Sequence, residues 1–281
     1  MNLENVWMFA EGSFYSSNQL LFLKPLMDHT GIDIEQFATS MREAAKSQPK
    51  PPPIMSISNG VAQVSIKGPL MPNKSLIMQA MGGTSTQDIN DSFQQILRND
   101  RVKGVLVHVN SGGGSAAGID QTAELIHEVA QKKPIVAHIN GSSASAAYYL
   151  TSQATKVFAG NRNDVVGSVG TRLVMQDTSV AANKAGVEMV VIDTGANKSI
   201  GLPGTKITTE HKSHMQSQVM QLQRHFEESV KRGRPLIDMS AINDGSVWLA
   251  EEAQQKGLID DIHPIQKSAD VLTALMRIRN S

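Results

Sequence analysis

The chain contains no cysteine. That absence excludes disulfides, thiolate metal sites and a cysteine nucleophile, and it leaves the redox compartment open. Aromatic residues make up only 4% of the composition, so any core must be built from aliphatic side chains. Lys+Arg and Asp+Glu are both 26, giving a formal net charge of zero. No global field favours nucleic acid or an anionic membrane, and no block of like charge marks a binding tail. No apolar run reaches the length of a membrane span. Leu20–Leu26 is apolar, but it is short and holds Pro25. Met1–Glu11 carries Glu4 and Glu11 and no basic residue, unlike the charged start of a secretory signal. These absences predict a cytoplasmic protein with no membrane anchor, no nucleic-acid partner, no metal and no cofactor.

What is present is strand–helix alternation behind a proline-rich break. Gln48-Pro49-Lys50-Pro51-Pro52-Pro53 favours an extended, semi-rigid spacer. Before it, Ile34, Phe37 and Met41 recur at helical spacing and predict a helix over Ile32–Lys46. Four segments are therefore expected: a helical arm over 1–47, a linker over 48–56, one catalytic-sized domain over 57–266, and a helical tail over 267–281. In the domain, Ala62, Val64 and Ile66 alternate with polar residues as in a half-buried strand. Thr86–Asn99 reads as a helix, Val105–Val109 as a strand, and Ile119, Ala123, Ile126 and Val129 mark the next helix. Ile135–Ile139, Lys156–Ala159 and Met189–Ile192 read as strands. A long amphipathic helix follows, with Met215, Val219, Leu222, Phe226 and Val230 on one stripe. Repeated βα units imply a mostly parallel sheet in an α/β fold.

Three segments carry chemistry. Asn110-Ser111-Gly112-Gly113-Gly114-Ser115 follows an apolar strand, and its glycines can bring backbone N–H groups close to a substrate carbonyl. The run lacks both the dinucleotide spacing and the Gly-Lys-Ser/Thr of a phosphate loop. Ser145 lies in Gly141-Ser142-Ser143-Ala144-Ser145-Ala146-Ala147-Tyr148-Tyr149, where a strand turns into a helix and small neighbours leave room for a peptide. A serine nucleophile needs a base. None of the eight histidines lies between Ile139 and Glu210; His211, His214 and His225 fall on the long helix, and His108 and His138 in strands. A lysine is the remaining base. Lysine serves only when neutral, which requires lowering its pKa from ~10.4 by roughly 3 units. Lys198, in Asn197-Lys198-Ser199-Ile200-Gly201, has no acidic neighbour from Thr194 to Thr209. Lys206 satisfies the same condition and stays open as an alternative.

The order and spacing of these segments resemble the signal peptide peptidase A family of Ser–Lys peptidases. That family places its nucleophile in Ala-Ser-Gly-Gly-Tyr-Tyr, matched by Ala144–Tyr149, and its base in Lys-Asp-Ile-Gly-Ser-Pro, matched by Lys198–Pro203. Its Asn-Ser-Pro-Gly-Gly turn corresponds to Asn110–Gly114, and its Thr-Gly-Ser-Ile-Gly to Val166–Gly170. Val247-Trp248, Ala253 and Gly257–Asp260 also match, so the likeness runs from about Val61 to Ile262. It implies a Clp/crotonase-like fold of repeated ββα/βα units behind the helical arm, with Ser145 as nucleophile and Lys198 as base. It further implies oxyanion donors from Gly113 or Gly114 and Ala146, and Ser168 orienting the lysine. Departures are Gly112 for Pro, Ala146-Ala147 for Gly-Gly and Ser199 for Asp, expected to tune specificity or rate.

A single domain behind a helical arm is most similar to the phage prohead protease branch, which cuts scaffold and capsid proteins inside a precursor shell. The resemblance then implies protein or peptide substrates, a homo-oligomer, a scaffold on a separate chain and a site in the host cytoplasm or procapsid interior. A soluble peptide-degrading enzyme and a scaffold protein that kept the protease fold are the alternatives. An acyl-CoA enzyme of crotonase type is disfavoured, because those enzymes usually work with Glu or Asp.

Overall fold

The computed structural model describes residues 6–9, 43, 53–74, 78 and 81–280. The helix expected over Ile32–Lys46, apart from Glu43, and most of the arm and proline spacer lie outside the described residues.

Among the described residues the chain builds two sheets. The first strand is β1 (Val6–Phe9). β2 (Met55–Ser58) and β3 (Val61–Lys67) form an antiparallel hairpin. Asn59 and Gly60 close it with φ of 50° and 78°, the conformation that makes Asn-Gly the favoured two-residue hairpin turn. Short strands β4 (Leu70–Met71) and β5 (Thr84–Ser85) lead into helix α1 (Thr86–Arg98), capped by the Ser85 hydroxyl on Asp88 N–H. β6 (Gly104–Ser111), β7 (Gly113–Ser115) and α2 (Ile119–Lys132) follow. β8 (Ile135–Ala144) runs into α3 (Ala146–Thr151). Then come β9 (Lys156–Ala159), β10 (Val165–Gly167), β11 (Arg172–Leu173) and α4 (Ser179–Lys184). The chain closes with α5 (Thr209–Gly233), β12 (Val247–Leu249), α6 (Ala250–Gln255), β13 (Asp261–Ile262) and α7 (Ile265–Asn280).

The main sheet has the order β12-β10-β8-β6-β3-β2, with β9 and β13 branching from β8. Its central pairs, β3·β6, β6·β8, β8·β9 and β8·β10, are all parallel. The fold is therefore mixed α/β on a mostly parallel sheet. Alternation along the strands assigns the two faces. Val105, Val107 and Val109 of β6 and Ile135, Ala137 and Ile139 of β8 join Ile89, Phe93 and Ile96 of α1 and Ile126 and Val129 of α2 in the larger core. Leu106, Val136 and Phe158 point the other way, onto Leu272 of α7. Each of the Val, Ile, Leu and Phe side chains, buried completely, contributes about 1.5–3 kcal/mol.

Two readings of the sequence change. Met189–Ile192 forms no strand: the stretch has no regular structure, and Val190 and Ile192 are 79% and 94% exposed. Its β-branched composition suits a strand, but among the described residues no sheet edge pairs with it, and unpaired strands do not persist. In α5 only the last turns are core. Phe226 and Val230 are buried, whereas Met215, Val219 and Leu222 are half-exposed.

Candidate active site

β8 is shared between two partners. Its first half pairs with β9, from Val136 to Ile139, and its second with β10, from Ser142 to Ala144. The hand-over occurs at Gly141, which has φ 114° and where a Cβ would lie 2.6 Å from Asn110 Oδ1. The buried Asp164 carboxylate holds the fork. Its Oδ1 accepts from Gly141 N–H at 2.8 Å and its Oδ2 from Gly160 N–H at 2.7 Å. Four short donors, counting the backbone and side-chain amides of Asn161, satisfy this carboxylate in the interior.

Ser145 sits at the end of that second half. It is a non-glycine residue at φ 56° and ψ −125°, a conformation that costs of order 1–3 kcal/mol and persists only when its surroundings impose it. They do so through two backbone bonds: its N–H donates to Gly167 O at 2.8 Å, and its carbonyl accepts from Tyr149 N–H at 2.9 Å. The residue is fully buried, and its Oγ has no hydrogen-bond partner among the described residues. A buried hydroxyl without a partner costs about 1–3 kcal/mol. Strain and an unsatisfied hydroxyl thus coincide on one serine.

α3 is anchored by the two tyrosines that follow. Tyr148 OH donates to Leu258 O at 2.9 Å. Tyr149 OH lies 2.8 Å from Asp120 Oδ1 and 3.0 Å from His225 O, and its ring stacks on Phe226 at 4.6 Å. These contacts fix the N-terminus of α3, where the Ala146 N–H has no intrahelical acceptor.

The glycine run forms β7. Gly114 pairs with Leu70 so closely that a Cβ there would stand 1.9 Å from Leu70 O, which explains why only glycine fits. Gly113 has φ 101°, but its N–H donates to Ser111 Oγ at 3.1 Å, and Ser111 Oγ–H in turn donates to Gly68 O at 2.6 Å. Of the two glycines named from the sequence, Gly113 already has an acceptor. Ser168 follows the Gly167 that holds Ser145, is itself at φ 53°, and donates its N–H to Ser246 O at 2.6 Å.

Lys198 is placed differently. It lies exposed in a turn closed by its own N–H on Gly195 O at 3.0 Å. Its Nζ makes no hydrogen bond or ion pair among the described residues, with Ser145 or any other group. His211 Nε2, 2.9 Å from Ala196 O, ties this turn to the start of α5. Asp177 pins the following stretch by accepting Ile207 N–H at 3.0 Å; bonds from Ser179 and Ile207 hold its carboxyl down at about 2. The structure thus brings Ser145, Ala146, β7 and Ser168 together and leaves Lys198 outside. No cluster of potential metal ligands occurs among the described residues. Nor is any helix there long and apolar enough to cross a membrane.

The model of the family described as peptidase family S49 matches residues 127–279, which contain Ser145, Ser168 and Lys198 and more than half of the chain. The chain belongs to peptidase family S49. A CoA-ligase family model also matches, over residues 73–166. Among the similar proteins, a Methanocaldococcus jannaschii protein with a provisional protease name is 31% identical over 65% of this chain and 59% of its own length. The capsid assembly protease C of Escherichia phage lambda is 25% identical over 86% of this chain and 54% of its own. An Enterococcus faecium protein with a provisional signal peptide peptidase name is 31% identical over 66% and 55%. The chain spans about half the length of the relatives it matches. The resemblance to signal peptide peptidases, with a phage capsid branch, therefore holds. An enoyl-CoA hydratase from Shewanella pealeana overlays 80% of this chain and 77% of its own at 12% identity, with a TM-score of 0.47.

Proposed function

We propose that this S49 chain is a serine endopeptidase in which Ser145 is the nucleophile and Lys198 the general base, processing scaffold or capsid proteins of a phage particle. The observation that carries it is Ser145: a strained, buried serine with an unpartnered hydroxyl, beside a glycine strand. Neutral Lys198 takes the Ser145 proton as Oγ attacks the scissile carbonyl, and the C–N bond breaks as the lysine returns the proton to the leaving amine. Water then hydrolyses the acyl-enzyme, releasing the acid product and free Ser145. The Ala146 N–H, together with a β7 amide, holds the developing oxyanion; the Gly113 bond to Ser111 Oγ makes Gly114 the better candidate. Ser168 orients the lysine.

The base reaches Ser145 on assembly. Lys198 lies in the same exposed stretch of chain as Val190, Ile192 and Leu202, apolar side chains that a second copy would cover. Covering them would also remove the lysine from water, which favours its neutral form. The phage lambda relative supports capsid-protein substrates and hence action inside the procapsid.

The test is intact mass after incubation with a fluorophosphonate. One adduct on the wild type, none on Ser145→Ala and a slowed adduct on Lys198→Ala are expected. A wild type that stays unlabelled overturns the reading.

A further inference from the structure

The second sheet has the order β11-β1-β7-β4-β5. β7 and β11 do not pair with each other. β1 lies between them and is antiparallel to both, with Trp7 opposite Ser115, Met8 opposite Gly114 and Phe9 opposite Gly113 on one side. On the other side Val6 is opposite Leu173 and Trp7 opposite Arg172. Neighbouring strands are spaced about 4.8 Å, so the two walls stand roughly 10 Å apart, the width of one extended chain.

Those walls frame Ser145. β7 carries Gly113 and Gly114, and β11 continues from Gly167 and Ser168, the first of which accepts the Ser145 N–H. Thr171 Oγ1, just before the β11 wall, is a second buried hydroxyl without a partner among the described residues. A strand in this position uses backbone hydrogen bonds on both edges, which is how an extended peptide is recognised. The strand present here is the chain's own Val-Trp-Met-Phe.

We propose that Val6–Phe9 is a built-in occupant of the substrate slot: an extended apolar segment that pairs where a substrate peptide would pair and must leave before one can enter. The proposal rests on Ser145 being the nucleophile of that slot. β1 has only four residues and pairs with three residues on one side and two on the other, so its hold is weak per contact. Its strength comes from being tethered, since an intramolecular segment acts at an effective concentration in the millimolar range. A substrate at comparable local concentration displaces it, and dilute peptide does not. The slot therefore selects extended peptides with apolar residues flanking the cut and answers to crowding of its substrate.

The test uses the full chain carrying Ser145→Ala, so that nothing is cleaved, with and without Trp7→Pro and Met8→Pro. Proline removes the N–H groups that β1 needs for pairing. The probe is a fluorescein-labelled peptide with the sequence of residues 4–11, followed by anisotropy. At least tenfold tighter binding to the proline variant is expected, with competition by the unlabelled peptide. Equal affinity, or no binding to either chain, overturns the proposal. Amide exchange gives a reading independent of the probe: residues 114–115 and 172–173 should exchange at least tenfold faster in the proline variant, while Gly113, whose N–H is held by Ser111 Oγ, and strands β6 and β8 keep their protection. Unchanged exchange at those four positions also overturns it. Fluorophosphonate labelling of the variant with Ser145 restored separates the two ideas. Tighter peptide binding with Ser145 still unlabelled would refute the nucleophile and leave the slot and its occupant standing.

Discussion

The Ser145 N–H donates to the carbonyl of Gly167 at 2.8 Å, which sets two left-handed serines, Ser145 at φ 56° and Ser168 at φ 53°, on either side of one hydrogen bond. Gly167 cannot be replaced without moving this pair. It has φ 121°, and a Cβ on it would lie 2.6 Å from the Trp248 ring. Gly167→Ala is expected to cost about 2–4 kcal/mol in urea denaturation, from backbone strain plus overpacking. It should also slow fluorophosphonate labelling of Ser145 by at least tenfold. Wild-type stability with wild-type labelling would show that the bond does not position the serine.

The environment of Ser145, with the role proposed for it, predicts a trade between stability and reactivity. Ser145→Ala removes a buried hydroxyl that has no partner and should raise stability by about 1 kcal/mol. Ser145→Gly also relieves the positive φ and should do at least as well, because glycine adopts this conformation freely. Both variants should be inert to the probe. A fall in Tm for Ser145→Ala would mean that its Oγ makes a stabilising bond in solution, and the strained-serine account would fail.

Much of this was legible in the sequence, for identifiable reasons. The alternation of Ala62, Val64 and Ile66, the helical spacing in α1 and α2 and the Gly-rich run are local patterns, and local patterns survive folding when the core enforces them. Ser145 stood out because small residues and a strand-to-helix turn surround it, and that is where the structure has a strained, buried serine. Asp164 was missed, because a carboxylate that accepts four donors at a sheet fork leaves no periodic trace. The Met189–Ile192 strand failed for the opposite reason: propensity was present, but pairing depends on a neighbouring edge that no single sequence declares. The bond between Gly113 and Ser111 Oγ likewise emerges only in three dimensions.

Lys198 and Lys206 can be told apart by substitution. Lys198 is exposed and its Nζ bonds to nothing among the described residues, so Lys198→Met should leave Tm within about 1 °C of wild type, as surface changes generally do. Peptide turnover should nevertheless fall by about a thousandfold or more, the scale of losing a general base. Lys206→Met should keep at least half of the turnover. If assembly delivers the base, specific activity will rise with protein concentration through the association range. The reverse pattern, with Lys206→Met dead and Lys198→Met active, would reassign the base.

The last prediction concerns acid. His138 lies on the far face of the sheet, buried, with Nδ1 2.8 Å from Ser268 Oγ of α7. Burial is the first cause that pulls its pKa from 6.5 to about 4; the neighbouring His263 and His108 add to the shift and Asp164 opposes it. The folded pKa is below the unfolded one, so the unfolded chain takes up the proton first as pH falls. His138 therefore subtracts nothing from stability above pH 6.5, and its penalty grows as pH drops through 6.5 towards 4, reaching about 2–3 kcal/mol. A His138→Gln chain, which keeps a side-chain group able to bond Ser268, lacks that proton and should lose correspondingly less stability between pH 7 and pH 4.5. Urea midpoints of the two chains at both pH values measure the difference directly, since carboxylate effects common to both cancel. Parallel losses in the two chains would mean that His138 is protonated in the folded state, and that α7 tolerates a charge beneath it.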